Sequence, residues 1–449
     1  MLLQQIKSRN PSSDSAGPHL VRFTNCRLLR KNTLERADLW FNTDWGRIIA
    51  EPLGFYSRKS PQVKVIDLNN SIVSPGWIDC QLNGAFGLNF SEVAQDMTDY
   101  TKRLGEVNHR LLQTGVTSYL PTITSQKPAV YKTVLPLHKP QGVLRLAELG
   151  AESLGAHCEG PFLNTLKNGA HNVDVLIEAQ SFTDIEACYG KENLVFDRRN
   201  RAAAIKMITA APELGQMTSL IPELASQKIV FSIGHTDASY EQAATAIRHG
   251  ASMVTHLFNA MRPLHHRNLG VLGVLGHGHD SAQPFFGVVA DGIHVHPATV
   301  NLVFKANMQR MILVTDGMHL LGSPDGIYQW MNGGSLSTIK KLGYRLTLEG
   351  SDTIAGNCVT LLESVNNLIK WSGASIPTVL STVTAAPAYM LGLRGVKGTL
   401  DIGADADFLI LSETETTEGG AIVIDEVWKF GKRMYQNSQS SNQHIYISN

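Results

Sequence analysis

Carboxylate, imidazole and carboxamide side chains recur at one kind of place in this chain: the polar end of a short apolar run. One run ends His157, Cys158, Glu159, Gly160. Another ends Gly234, His235, Thr236, Asp237, and a third contains Thr255, His256 and then Phe258, Asn259, Ala260. Two more end at Asp291, Gly292, His294 and at Thr315, Asp316, Gly317. Packing alone favours apolar or small residues there. One carboxylate and two neutral imidazoles, with a position left open for water, form a common catalytic zinc arrangement. Glu159, His235 and His256 supply that set. A metal so held lowers the pKa of its water toward neutrality. Asp316 is then the candidate general base toward that water and general acid toward the leaving group.

Each residue alone has an ordinary explanation. A single His at a strand end can be a hydrogen-bonded structural residue, Glu159 before Gly-Pro can cap a turn, and Asp316 before Gly317 is a common turn signal. Their joint recurrence at matching positions is harder to explain by packing. Twelve of the 16 histidines fall between His157 and His319, the stretch that carries those ends. Other clusters read differently. His296 precedes Pro297 at the start of a helix-like stretch, His277 and His279 lie in a Gly-rich loop, and Arg267 fits a phosphate contact or a solvated surface charge equally well. No phosphate-binding P-loop or dinucleotide fingerprint of the required form is present.

The elements that must position these residues follow from periodicity. Eight apolar runs occur between about residues 72 and 317: IVSPGWIDCQLN, VTSYLPTIT, SLGAHCEG, MITAAPE, IVFSIGHTD, SMVTHLFNA, FFGVVADGIH and MILVTDG. Amphipathic stretches such as 239–250 and 296–307 lie between several of them. Continuous apolar strands alternating with helices predict a parallel sheet covered on both faces, and eight units predict a (β/α)8 barrel. In such a barrel the C-terminal strand ends face the active site. The flanks carry shorter strand-like runs with Gly, Asn and Asp turns. We expect a flexible extension over 1–18, a small β-sandwich built from 19–74 and 397–449, and the barrel over 75–396.

Bulk properties narrow the function. The chain has 449 residues, with 39 Lys plus Arg against 39 Asp plus Glu, a formal net charge of zero. A nucleic-acid binder would show a basic excess or stripe. The five cysteines are scattered without a Cys-x-x-Cys pair, which favours a reducing compartment over a disulfide scaffold. No apolar run approaches the roughly 18 residues of a membrane span, and the N-terminus is too polar after Leu3 for a signal peptide. A cytoplasmic protein is expected.

The segments SPGWIDCQLNGAFG, HCEGPFLNTLKNGAH, SIGHTDASYEQA, THLFNAM, ADGIHV, LVTDGM, IAGNCVTLLESV, VTAAPAYMLGL and KGTLDIGADADFLIL, in this order and spacing, resemble the amidohydrolase superfamily. Within it they are similar to the N-acetylglucosamine-6-phosphate deacetylase family, and to its animal members above all. The resemblance runs over about 20–436. It implies one divalent metal ion, expected to be zinc, on Glu159, His235 and His256, with Asp316 as catalytic acid and base. It also implies a carbonyl-polarising His171 with Ala170 beside the sugar, and sugar and phosphate contacts at Asn259, Ala260, Arg267 and His294. Ile354, Ala355 and Gly356 would close over the acetyl group. The implied substrate is a phosphorylated amino sugar, hydrolysed to acetate and the free amine. Arg267 reaching a neighbouring subunit's site would imply a homodimer. Cys158 stands where Leu is expected and Gly317 where Ala is frequent, and neither touches ligation. Many two-metal relatives carry His-x-His at the end of the first strand. Here Gln81 and Asn83 take those places, poor zinc ligands that we expect to line the pocket wall in a one-metal site. The alternatives are another amidohydrolase reaction, dihydroorotase-like or dipeptidase-like, or an inactive amidohydrolase scaffold.

Overall fold

The computed structural model describes residues 19–52, 62–94, 96–140, 146–196, 203–276, 283–416, 419–438 and 444–448. The expected extension over 1–18 lies outside these residues, as do His277 and His279.

All eight apolar runs form strands: β1 (Trp77–Leu82), β2 (Val116–Ile123), β3 (Ala156–Glu159), β4 (Ile205–Ala210), β5 (Val230–Ile233), β6 (Met253–Val254), β7 (Phe285–Val289) and β8 (Met311–Val314). Each pairs in parallel with the next, from β1 through to β8. Every residue of β1, β2 and β7 is buried, as expected where helices cover one face and the barrel interior fills the other. Closure between β8 and β1 runs through the residues just beyond β8, which meet β1 and the residue that follows it. The Asp316 amide donates to Gln81 O (2.9 Å) and the Asn83 amide to Gly317 O (2.8 Å). The buried Asp79 carboxylate accepts from Thr315 Oγ1 (2.6 Å). Amphipathicity and caps set the helices between strands. Met97–Leu112 buries Tyr100, Leu104, Val107 and Leu111 at a spacing of three to four and begins at an Asp96 cap. Tyr240–Arg248 opens with a Ser239/Gln242 capping box. Pro297–Asn307 starts with Pro at its first position and His296 as its N-cap.

One element was not anticipated. Between β8 and the helix Leu361–Ser372 lies a four-stranded antiparallel sheet, Gly326–Asn332, Ser335–Leu342, Arg345–Leu348 and Ile354–Asn357. Its first hairpin turns on Gly333 and Gly334, with φ of 57° and 84°, between the paired Asn332 and Ser335. A Gly-Gly pair between alternating runs is a two-residue hairpin signal, so the sequence held the clue.

At the other end of the barrel, two further sheets draw strands from both chain ends. One contains Leu20–Thr24, Leu39–Asn42, Arg47–Ile49, Val63–Asp67 and His444–Ser448; the other contains Arg27–Arg30, Thr33–Arg36, Ile72–Pro75, Phe408–Thr416, Gly419–Lys429 and Lys432–Gln436. Phe23, Phe41, Phe408 and Trp428 pack between them, Phe23 meeting Phe41 edge-on at 4.9 Å.

Candidate metal centre

The strand ends meet as the barrel geometry requires. Glu159 ends β3, His235 lies two residues beyond β5 and His256 two beyond β6. His256 Nε2 is 2.9 Å from Glu159 Oε1, His235 Nε2 is 3.2 Å from the same oxygen, and the two nitrogens are 3.1 Å apart. Ligand atoms about 2.0–2.1 Å from a tetrahedral ion stand roughly 3.3 Å from one another, so the triangle has the size of a metal face. The chemistry of the donors agrees. His235 Nδ1–H donates to Lys167 O at 2.8 Å, which leaves a lone pair on Nε2. Burial opposes charge on His256, yet its bond to Glu159 prevails and pushes its pKa up to about 9. Burial likewise opposes the Glu159 carboxylate, but His235 and His256 hold it well below the usual range. The point of convergence thus favours positive charge, which a divalent ion supplies.

A third imidazole lies close by. Glu159, His171 and His235 also present ligand atoms within 4.8 Å of one another. Hydrogen bonding separates His171 from His235, while His256 Nδ1 has no hydrogen-bond partner among the described residues. The Ser125 amide donates to His171 Nδ1 at 3.3 Å, so the neutral ring keeps its proton on Nε2 and offers an ion nothing there. Burial and the neighbouring His235 push the His171 pKa down to about 3, so the ring stays neutral.

Asp316 follows β8 on the same rim. Burial first, then the Glu159 charge, raises its pKa, while His256, His294 and an Asn83 bond oppose. Asn83 Nδ2 donates to Asp316 Oδ1 at 2.8 Å. Gln81 Nε2 donates to both Glu159 Oε1 and Asp316 Oδ1, at 3.1 Å each. Gln81 therefore bridges the two carboxylates as a neutral donor, buried beneath the pocket wall rather than lining it, while Asn83 reaches Asp316 alone and does line the pocket.

Above this cluster opens a cavity of about 200 Å³. Ala170, His171, Asn259, Ala260, His294, Ile354, Ala355 and Gly356 line it, together with Asn83, Glu159, His235, His256 and Asp316. Arg267 does not line it and is exposed. Sequence reasoning missed Asn89, Thr124, Met318, His319, Trp330 and Asn332 in the wall. Trp330 and Asn332 come from the unanticipated hairpin, whose alternation places Tyr328, Trp330 and Asn332 on the inner face. Asn332 Nδ2 donates to Ala170 O at 2.7 Å, which ties that hairpin to the loop carrying His171.

Among the described residues no helix is long and apolar enough to cross a membrane. The amidohydrolase family model matches residues 72–434. The chain is 36% identical over 421 residues to N-acetylglucosamine-6-phosphate deacetylase of Mus musculus, covering 92% of this chain and 97% of that protein. It is 34% identical to the Caenorhabditis elegans protein of the same name, covering 93% and 97%. Among solved structures, the deacetylase of Pasteurella multocida superposes with a TM-score of 0.75 at 26% identity, over 93% of this chain and all of that one. An Asp→Ala variant of the Mycobacterium smegmatis deacetylase, in complex with N-acetyl-D-glucosamine-6-phosphate, superposes with a TM-score of 0.71 at 26% identity, over 93% and 99%. The chain belongs to the amidohydrolase family and, by identity above 30% along nearly its whole length, to the N-acetylglucosamine-6-phosphate deacetylases within it.

Proposed function

We propose that this protein hydrolyses N-acetyl-D-glucosamine 6-phosphate to D-glucosamine 6-phosphate and acetate, a step of amino-sugar catabolism. The observation that carries this reading is the convergence of Glu159 Oε1, His235 Nε2 and His256 Nε2 beside Asp316 on one pocket floor, in a chain similar to deacetylases over nine-tenths of its length. Glu159, His235 and His256 would hold one divalent ion, zinc in our reading, which would supply a Lewis acid and an activated water. His171 donates its Nε2–H to the acetyl carbonyl oxygen and steadies the charge that grows there. Asp316 takes the proton of the attacking water as the new C–O bond forms. It then gives that proton to the sugar nitrogen as the C–N bond breaks, and acetate and the amine leave. Ala170, Asn259, Ala260 and His294 seat the sugar and its phosphate, and Ile354, Ala355 and Gly356 cover the acetyl group. Arg267, exposed on this chain, is assigned to the phosphate of a neighbouring subunit's site in a homodimer.

The barrel is assigned to 75–396 and the β-sandwich to 19–74 with 397–449, since both terminal sheets mix strands from the two ends. We place the protein in the cytoplasm, consistent with five buried, unpaired cysteines. A two-metal reaction is disfavoured at β4. Its end, Ala210 to Glu213, has no lysine, and Glu213 already accepts from Asn164 and the Asp237 amide. The inactive-scaffold reading is disfavoured because Glu159, His235, His256 and Asp316 are all present and assembled.

The test is acetate release from N-acetylglucosamine 6-phosphate before chelation, after it, and after zinc is restored. Loss and recovery of turnover are expected. Full activity in protein proven free of metal would overturn the mechanism, and no acetate from the zinc-loaded protein would overturn the substrate.

A further inference from the structure

Three imidazoles lie around one carboxylate: His235 and His256 meet Glu159 Oε1 at 3.2 and 2.9 Å, and His171 presents a ligand atom within 4.8 Å of those of Glu159 and His235. The His171 and His235 ring centres are 4.5 Å apart, and each ring approaches Glu159 within reach of a shared ion. His171 and His235 are divided by what each ring's other nitrogen meets, while His256 Nδ1 has no hydrogen-bond partner among the described residues. His235 Nδ1 faces a carbonyl, Lys167 O, which can only accept. His171 Nδ1 faces a main-chain amide, that of Ser125, which can only donate. Opposite partners enforce opposite tautomers on two adjacent rings.

We propose that Ser125 is a positioning residue for the deacetylation, one that locks His171 as the Nε2–H tautomer and so keeps it a hydrogen-bond donor and out of the metal's ligand set. This rests on the function proposed above. Ser125 acts through two atoms. Its amide donates to His171 Nδ1 at 3.3 Å, and its Oγ lies 2.8 Å from the same nitrogen. With a lone pair already required on Nδ1, the hydroxyl proton must point there as well, and the other acceptor within its reach, Glu159 O, is farther at 3.4 Å. The hydroxyl has little freedom to leave. Ser125 is 1% exposed, and a Cβ on Gly160 would lie 2.1 Å from its Oγ, so the space beside Gly160 is already filled by that oxygen. The residue sits two positions beyond the end of β2, anchored to the barrel while the loop that bears His171 is not part of any strand. One serine thus ties a loop-borne ring to the frame and fixes which face of it carries the proton.

The test reads the tautomer and the kinetics separately. In zinc-loaded protein carrying 15N-labelled histidine, long-range 1H–15N correlation should show His171 with a bare Nδ1 and a protonated Nε2, the signals being assigned by their loss in His171→Asn. Ser125→Ala should lower kcat about 10- to 100-fold with little change in KM and with one zinc per chain retained. Ser125→Thr, which keeps the hydroxyl, should recover most of it. In the His171→Asn background, Ser125→Ala should change kcat less than about twofold, since a residue acting through His171 has nothing left to act on. A protonated Nδ1 in the wild-type ring overturns the proposal, and so does an equal loss in both backgrounds. If the zinc-loaded wild type releases no acetate from the sugar phosphate, the reaction assignment fails, while the correlation spectrum still decides the tautomer.

Discussion

Asp316 is held between opposing influences, and its neighbours decide when it can act as a base. Burial and the Glu159 charge favour its proton, while the Asn83 amide favours the ionised form. Asp316→Asn removes the proposed base without removing a proposed metal ligand. We expect kcat to fall by about 10²- to 10⁴-fold with zinc content unchanged, and wild-type-like kinetics would refute the assignment. Asn83→Ala removes a donor to the carboxylate, so the Asp316 pKa should rise. A base works in its ionised form, so under the proposed role the acidic limb of the kcat/KM profile should move to higher pH. An unmoved limb, or a shift to lower pH, would show that Asn83 does not tune this group. The backbone at the site is unusual too. His235, His256 and Asp316 have φ of 48°, 23° and 50°, in a region that non-glycine residues seldom occupy and that concentrates at functional sites. Residue types pointed to the trio and to Asp316, but nothing in the sequence announced this backbone geometry, because it is imposed by neighbouring strands.

At the scale of the element, small residues let the strand ends come close enough for three side chains to share one point. Gly234, between β5 and His235, is such a place. A Cβ there would lie 2.7 Å from Thr209 Cγ2 on β4 and 2.8 Å from Thr255 Cβ beyond β6. Gly234→Ala must therefore displace one neighbour or His235 itself. We expect it to cost about 1–3 kcal/mol of stability and to weaken zinc retention, read by thermal unfolding and by titration with a competing chelator. A stable variant with unchanged zinc affinity would show that the strand end can give way freely. The eight strands were legible because each is a continuous apolar run ending in polar residues. The hairpin over 326–342 was less so. Its strands are half exposed, and only one face is drawn into the pocket, so its hydrophobic signal is weaker than that of a buried barrel strand.

Across the whole molecule, the seam between barrel and terminal sheets is held partly by buried charge. Lys397 Nζ meets Asp405 at 2.8 Å and Asp407 at 2.7 Å, and it also pairs with Glu152 on the short strand beside β2. Lys429 Nζ meets Asp407 at 2.7 Å and Glu152 at 3.1 Å. Breaking a buried pair on one side leaves an uncompensated charge. Lys397→Met should therefore destabilise the fold by about 3–5 kcal/mol, measured by urea unfolding, and a loss under about 1 kcal/mol would show the seam to be relaxed. Burial opposes the Asp407 charge, but Lys397 and Lys429 prevail and hold its pKa below the ordinary carboxylate range. A depressed pKa contributes stability that is complete above the unfolded-state value and is lost as pH falls toward the folded one. Unfolding free energy should thus decline on acidification, and Asp407→Asn should flatten that decline. An equally steep decline in the variant would place the acid sensitivity elsewhere.

The sequence by itself determined the barrel, the strand ends that gather polar residues, the candidate trio Glu159, His235 and His256, and the absence of a histidine pair on β1. These follow from local pattern: apolar runs, their polar ends and the residue types found there. Only the tertiary structure decided how the three imidazoles differ, where Gln81 and Asn83 point their amides, and that a hairpin beyond β8 supplies Trp330 and Asn332 to the pocket. Those facts depend on which donor meets which acceptor across 46 to 235 residues of chain, from Ser125 with His171 to Gln81 with Asp316. A hydrogen bond between distant residues leaves no periodicity in the sequence. It exists only once the barrel has closed and placed Gln81 of β1 against the residues that follow β8.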